Sequence, residues 1–164
     1  CDRARLAGAK IILVLRGGAT MDTANLVAAI APCGQPANTF ARAAQTLPKN
    51  GLPSIAIVTT AGTGFDFART SVISKSDGAK IWVWDKNLMF SQAILDPDLT
   101  LSLPSQLTAW TGIDAVALAL EGCNARNKDP AGLMYGMEAM RTQTNGLSSL
   151  VANGAEINLR TKVL

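Results

Sequence analysis

Two short apolar runs, each breaking off into glycine, constrain this chain more than anything else in it. Ile11-Ile12-Leu13-Val14-Leu15 gives way to Arg16-Gly17-Gly18, and Ile55-Ala56-Ile57-Val58 gives way to Thr59-Thr60-Ala61-Gly62-Thr63-Gly64. A continuous apolar run of this length, bounded by turn residues, is the pattern of a strand buried in a parallel sheet. Between them Ala24, Leu26, Val27 and Ile30 recur at helical spacing until Pro32, and Thr20 or Asp22 is placed to cap that helix. Strand, glycine turn, helix and strand make a βαβ unit, whose crossover is expected to be right-handed. Ligand sites of α/β proteins gather where such strands end. There the glycines admit a ligand to the backbone, and Thr59, Thr60 and Thr63 add hydroxyl donors and acceptors. Either motif alone also fits an ordinary strand followed by a turn.

Further along, Pro36 to Leu47 reads as a second short helix. Ser71 to Ser74 and Lys80 to Trp84, with Lys75 to Gly78 between them, read as a hairpin. Asp96-Pro97 interrupts both helix and strand, which puts a linker over Asp96 to Ser105. After it the spacing turns helical, over Leu107 to Gly122, Ala131 to Met140 and Leu147 to Val163. The expectation is an α/β fold: a Rossmann-like parallel-sheet portion over 1–104, then an all-helical portion over 105–164.

With 164 residues, 48% hydrophobic and 16% charged, the composition is that of a globular chain. The net charge of +3 is scattered, with no Lys/Arg run and no interleaved aromatics, so a nucleic-acid partner is not expected. Cys1, Cys33 and Cys123 are odd in number and widely spaced, which suits a reducing cytoplasm better than a disulfide framework or a zinc cluster. No apolar run approaches the roughly 18 residues that span a bilayer, so no membrane partner is expected.

Four stretches occur in a telling order. Arg16-Gly17-Gly18-Ala19-Thr20-Met21-Asp22-Thr23-Ala24-Asn25 is followed by Thr59 to Gly64, then by Asp96-Pro97, then by Thr111-Gly112-Ile113-Asp114-Ala115. In content and spacing they resemble the iron-containing (group III) alcohol dehydrogenases. The pattern of that family runs Gly-Gly-Gly-Ser-x-x-Asp-Thr-Ala-Lys, Thr-Thr-x-Gly-Thr-Gly-Ser-Glu, Asp-Pro and Asp-Ala-x-x-His. The resemblance extends from about Ile11 to about Glu121. It implies a dehydroquinate synthase-like architecture, of which this chain looks like the middle, incomplete at both ends.

By that resemblance Gly17, Gly18 and Ala19 would touch the pyrophosphate of NAD or NADP. A helix N-terminus behind glycines suits an anion on physical grounds as well. Arg16 stands in place of the first glycine and Ala19 in place of the serine, so a hydroxyl is lost and a cation gained. Asp22 matches the aspartate near the nicotinamide and substrate end of the cleft and is the candidate catalytic residue. It also suits a plain first-turn carboxylate. Asn25 replaces the lysine that follows. Thr59, Thr60, Thr63 and Gly64 would contact the nicotinamide ribose and phosphates, with Phe65-Asp66 in place of Ser-Glu. Lys80 aligns with a lysine that reaches the ribose, and equally suits an exposed strand end.

For the metal, iron or zinc, the resemblance implies one Asp and three His. Asp114 is the Asp, Leu118 occupies the first His position, and the chain has no histidine at all. Asp114 alone is a poor cation site and suits equally a solvated helix face or a cap near Gly112. Glu121, two helical turns on, is too far to share an ion without a third ligand.

The resemblance implies an NAD(P)-dependent alcohol dehydrogenase or aldehyde reductase, acting on a small alcohol or aldehyde. The alternative is a catalytically inactive fragment or pseudoenzyme that serves as a nucleotide-binding or structural piece. Uncovered strand edges and helix faces are expected to drive oligomerisation or association with other chains.

Overall fold

The computed structural model describes residues 1–62, 64, 67–75, 77–127 and 129–164. They fall into two compact units, Cys1–Val58 with Phe65–Ile94, and Thr59–Gly64 with Leu95–Leu164. The helical unit thus takes in a segment that the sequence pattern groups with the sheet.

The first unit begins with α1 (Asp2–Leu6), β1 (Ile12–Leu15) and α2 (Ala19–Ile30), and continues with β2 (Ser54–Val58). β1 and β2 pair in parallel, Ile12 opposite Ser54 and Leu15 opposite Ile57, as the βαβ pattern predicts. With β5 (Gln92–Leu95) they form a sheet of order β1-β2-β5. β2, in the middle, buries Ser54, Ala56 and Val58 and half-buries the isoleucines between them. β1 departs from the expected two-sided burial: only Val14 is buried, while Leu13 is 63% and Leu15 56% exposed. Alternate side chains of a strand point to opposite faces of the sheet, and α2 packs against β1.

β3 (Thr70–Ser74) and β4 (Lys80–Trp84) form the expected antiparallel hairpin, Thr70 opposite Trp84 and Ser74 opposite Lys80. Leu26, Ala29 and Ile30 of α2 meet Phe40, Leu47, Val83 and Leu88 in the core of this unit.

Two local expectations fail here. The cap of α2 is Gly18, with no side-chain cap bond, so Thr20 and Asp22 lie inside the helix instead of ahead of it. The helix expected over Pro36 to Leu47 shrinks to one 3-10 turn, Ala37–Phe40. Beyond that turn the backbone is drawn to β4. Ala41 bridges to Val83, and the Arg42 N–H donates to the Trp82 carbonyl at 2.8 Å. Tertiary pairing and burial of Phe40 and Leu47 outweigh a weak helical propensity.

The second unit holds a 3-10 turn, Pro97–Thr100, and then α3 (Ser105–Asn124), α4 (Pro130–Ala152) and α5 (Ile157–Val163). α3 packs along α4, and α5 packs on α4. The expected break between Met140 and Leu147 does not occur, because α4 runs through Gly146 as one helix. Gly146 makes room instead of ending the helix: a Cβ there would stand 2.9 Å from Leu159 Cδ1. Gln143 Nε2 donates to the Val163 carbonyl at 2.9 Å, which fastens α5 across the same stretch. Among the described residues, no helix is long and apolar enough to cross a membrane.

Candidate cofactor site

In the first unit the site grows out of the end of β1. Gly18 adopts φ 51, which lets the chain turn sharply into α2, and its carbonyl accepts the N–H groups of Met21 at 2.9 Å and Asp22 at 3.2 Å. Ala19 opens the helix, so its own N–H and that of Thr20 have no partner within the helix. Arg16 is exposed just before the turn.

Beside the start of α2 lies a cavity of about 700 Å³, lined by Ala19, Asp22 and Thr23 on one side and by Val72, Ile73, Ser74 and Lys80 of the hairpin on the other. Asp22 is only 5% exposed, and its Oδ1 has no hydrogen-bond partner among the described residues. Burial pushes its pKa up to about 6, against the pull of a hydrogen bond from the Val72 main chain. Lys80 opens β4 and is exposed. The fold therefore brings three of the sequence candidates, Ala19, Asp22 and Lys80, to one cavity, with Gly17 and Gly18 immediately before the same helix. Asn25, almost a turn beyond Asp22, is buried and lines a separate cavity of about 240 Å³.

In the second unit Thr59 and Thr60 are half-buried, and Thr60 Oγ1 is buried without a partner among the described residues. Thr63, like Phe65 and Asp66, lies outside the described residues. Gly62 adopts φ 128, with Thr111 of α3 directly against it. Nothing in the sequence points to Thr111 as a partner of Gly62, since the contact uses its main chain.

Asp114 lies within α3, which excludes a capping role near Gly112, and it is exposed. Leu118, one turn on, is 45% exposed and carries no ligand atom. Among the described residues, no group of three or more His, Cys, Asp and Glu is placed to hold a metal ion.

These features can be set beside known proteins. The family model for iron-containing alcohol dehydrogenase matches residues 1–97. Long-chain-alcohol dehydrogenase 1 of Geobacillus thermodenitrificans is 34% identical over 152 residues, covering 92% of this chain and 38% of that protein. The NAD-dependent methanol dehydrogenase of Bacillus methanolicus is 33% identical over 150 residues, covering 91% of this chain and 39% of that one. The crystal structure of sulfoacetaldehyde reductase from Bifidobacterium kashiwanohense in complex with NAD+ superposes with a TM-score of 0.93 at 28% identity, covering 99% of this chain and 43% of that one. The chain thus spans about two fifths of the length of these relatives. With the family model covering more than half of its residues, this chain belongs to the iron-containing alcohol dehydrogenase family.

Proposed function

We propose that this chain binds NAD or NADP and serves the hydride transfer of an alcohol dehydrogenase or aldehyde reductase. The observation that carries the proposal is the cavity beside α2, where the buried Asp22 and the Lys80 side chain share one space next to a glycine turn. The buried Asp22 Oδ1, without a partner among the described residues, suits a ligand rich in hydroxyl and amide groups. A dinucleotide is such a ligand.

Each residue then has a task. The unpaired N–H groups behind Gly17, Gly18 and Ala19 attract pyrophosphate, and Arg16 adds a cation beside them. Lys80 reaches a ribose hydroxyl, and the assignment of ribose and phosphate oxygens to Thr59, Thr60 and Thr63 rests on the family resemblance alone. The bound nicotinamide supplies the hydride chemistry. Asp22 accepts a hydrogen bond when ionised and holds a proton when neutral, and a pKa of about 6 keeps both forms accessible near neutral pH.

A small alcohol or aldehyde is the proposed substrate, and the cytoplasm the proposed location. The proposed association into oligomers draws support from exposed Trp110 and Ile113 on α3 and Met134 and Tyr135 on α4. The family's metal is a different matter, because Asp114 with Leu118 one turn on does not make a donor set for iron or zinc. Leu118 favours a second reading, a nucleotide-binding protein without dehydrogenase chemistry.

Titration of the purified chain with NADH, following nicotinamide fluorescence with and without Zn(II) or Fe(II), tests the proposal. Saturable binding supports a nucleotide site, and alcohol-dependent reduction of NAD+ then selects the dehydrogenase over the second reading. A signal that never saturates removes both.

A further inference from the structure

The hairpin wall of the cavity beside α2 continues past the residues that line it. Side chains of β3 and β4 alternate between two faces: Ser71, Ile81 and Val83 are buried on the inner one, while Lys80, Trp82 and Trp84 are exposed on the outer one. The register sets Ser74 opposite Lys80 and Val72 opposite Trp82 on that outer face. Val72, Ser74 and Lys80 all line the cavity. Trp82 shares their face at its rim, directly across from Val72, and residues so paired hold their Cβ atoms about 5 Å apart.

The Trp82 ring is 44% exposed, which leaves a large apolar surface open beside the ligand space. The backbone beneath it is held at both edges of β4. On one side it pairs with β3, and on the other the Trp82 carbonyl accepts the Arg42 N–H at 2.8 Å while Ala41 bridges to Val83. Trp84 has the same face and is exposed as well, but it stands opposite Thr70, further along the strand. At about 3.4 Å per residue, Trp82 is about 7 Å from Lys80 along β4 and Trp84 about 14 Å. Position therefore separates two chemically identical side chains, and Trp82 is the one beside the cavity.

We propose that Trp82 is a ring-stacking residue, packing its indole against a planar heteroaromatic ring of a dinucleotide held in this cavity. This rests on the nucleotide reading above. Asp22, Ser74 and Lys80 offer charge and hydrogen bonds, whereas a ring face is matched by Val72 and Ile73 and by the indole next to them. A dinucleotide carries two such rings, nicotinamide and adenine, and an indole stacks on either. The contact is noncovalent.

The test is titration of the whole 164-residue chain with NADH, with folding followed by circular dichroism. Trp82→Ala should weaken NADH at least about tenfold, Trp82→Phe should keep most of the affinity, and Trp84→Ala should leave it unchanged. Reduced nicotinamide mononucleotide and ADP-ribose separate the two rings: Trp82→Ala should weaken one of them, and the one weakened carries the ring that stacks. Should Trp82→Ala fail to fold, the indole reports for itself. With Trp84→Phe and Trp110→Phe in place, Trp82 is the sole tryptophan, and NAD+, which does not absorb its emission, should quench it by contact and saturably. Parent affinity in a folded Trp82→Ala, or Trp82 emission unchanged at saturating NAD+, overturns the proposal while the nucleotide site stands. No NADH binding by the parent chain overturns the nucleotide reading and this proposal together.

Discussion

The Asp85 carboxylate accepts the Leu47 N–H at 2.9 Å across 38 positions of the chain, and the side chain of Asn87 donates to the Leu47 carbonyl at 3.1 Å. Both main-chain polar groups of one buried residue are thereby paired with the segment just after β4. Asp85 also accepts the Asn87 N–H at 2.7 Å, which orients its second partner. Asp85→Ala removes the acceptor and leaves the Leu47 N–H buried and alone. We expect a loss of about 1–3 kcal/mol in stability. The urea midpoint should fall with the slope of the transition unchanged.

The segment held by that clamp carries strain. Arg42 and Ala43 adopt φ 55 and φ 57, and the Ala44 N–H closes the turn on the Ala41 carbonyl at 3.1 Å. Two consecutive left-handed residues are the geometry that Asn-Gly fills without cost. Ala43→Gly should therefore raise stability by about 1 kcal/mol, the relief of left-handed strain exceeding the extra freedom given to the unfolded chain. Denaturant unfolding of the single variant checks it.

Asp22 makes stability depend on pH. Its folded-state pKa of about 6 lies above the ordinary 3.8, so the folded chain binds this proton more tightly than the unfolded one. The contribution is full below 3.8, declines as pH rises, and is lost above about 6. Asp22→Asn has no such dependence. The parent should lose stability relative to this variant as pH rises through that window, and their difference should level off above it. Urea unfolding of both chains at several pH values is the measurement, and a constant difference would contradict the assignment.

Arg160 is 1% exposed, donates to the Gly154 carbonyl at 3.0 Å and to Thr108 Oγ1 at 3.3 Å, and leaves Nη2 without a partner among the described residues. Burial lowers its pKa. Thr108→Val deprives a buried guanidinium of a further partner and should cost about 1–3 kcal/mol. Arg160→Met should cost less, because an apolar side chain of similar length removes the desolvation penalty together with the charge. The order of the two unfolding midpoints decides the matter.

Much of the fold is legible in the sequence because it depends on local pattern. The runs ending at Leu15 and Val58 were strands because apolar residues bounded by glycine and threonine leave few other choices. The hairpin over Thr70 to Trp84 follows from alternation around a polar turn. Gly17, Gly18 and Thr60 stand out for the same reason, as glycine and hydroxyl residues at strand ends against an apolar background, whereas Asp22 is singled out only by the family resemblance.

What stays illegible depends on partners distant in the chain. Thr-Gln-Thr-Asn-Gly in the middle of α4 reads as a break, yet Gln143 bonds to Val163 and Gly146 admits Leu159, so packing holds the helix together. Pro36 to Leu47 reads as a helix, yet β4 and Asp85 claim its backbone. The strand–turn–helix framework, the glycine turns and the lack of a histidine ligand at Leu118 follow from residue type and spacing alone. Only the tertiary structure decided that Asp22 is buried beside Lys80's cavity and that Gly62 rests on Thr111. Burial and close approach depend on which distant segments meet, and no local spacing encodes that.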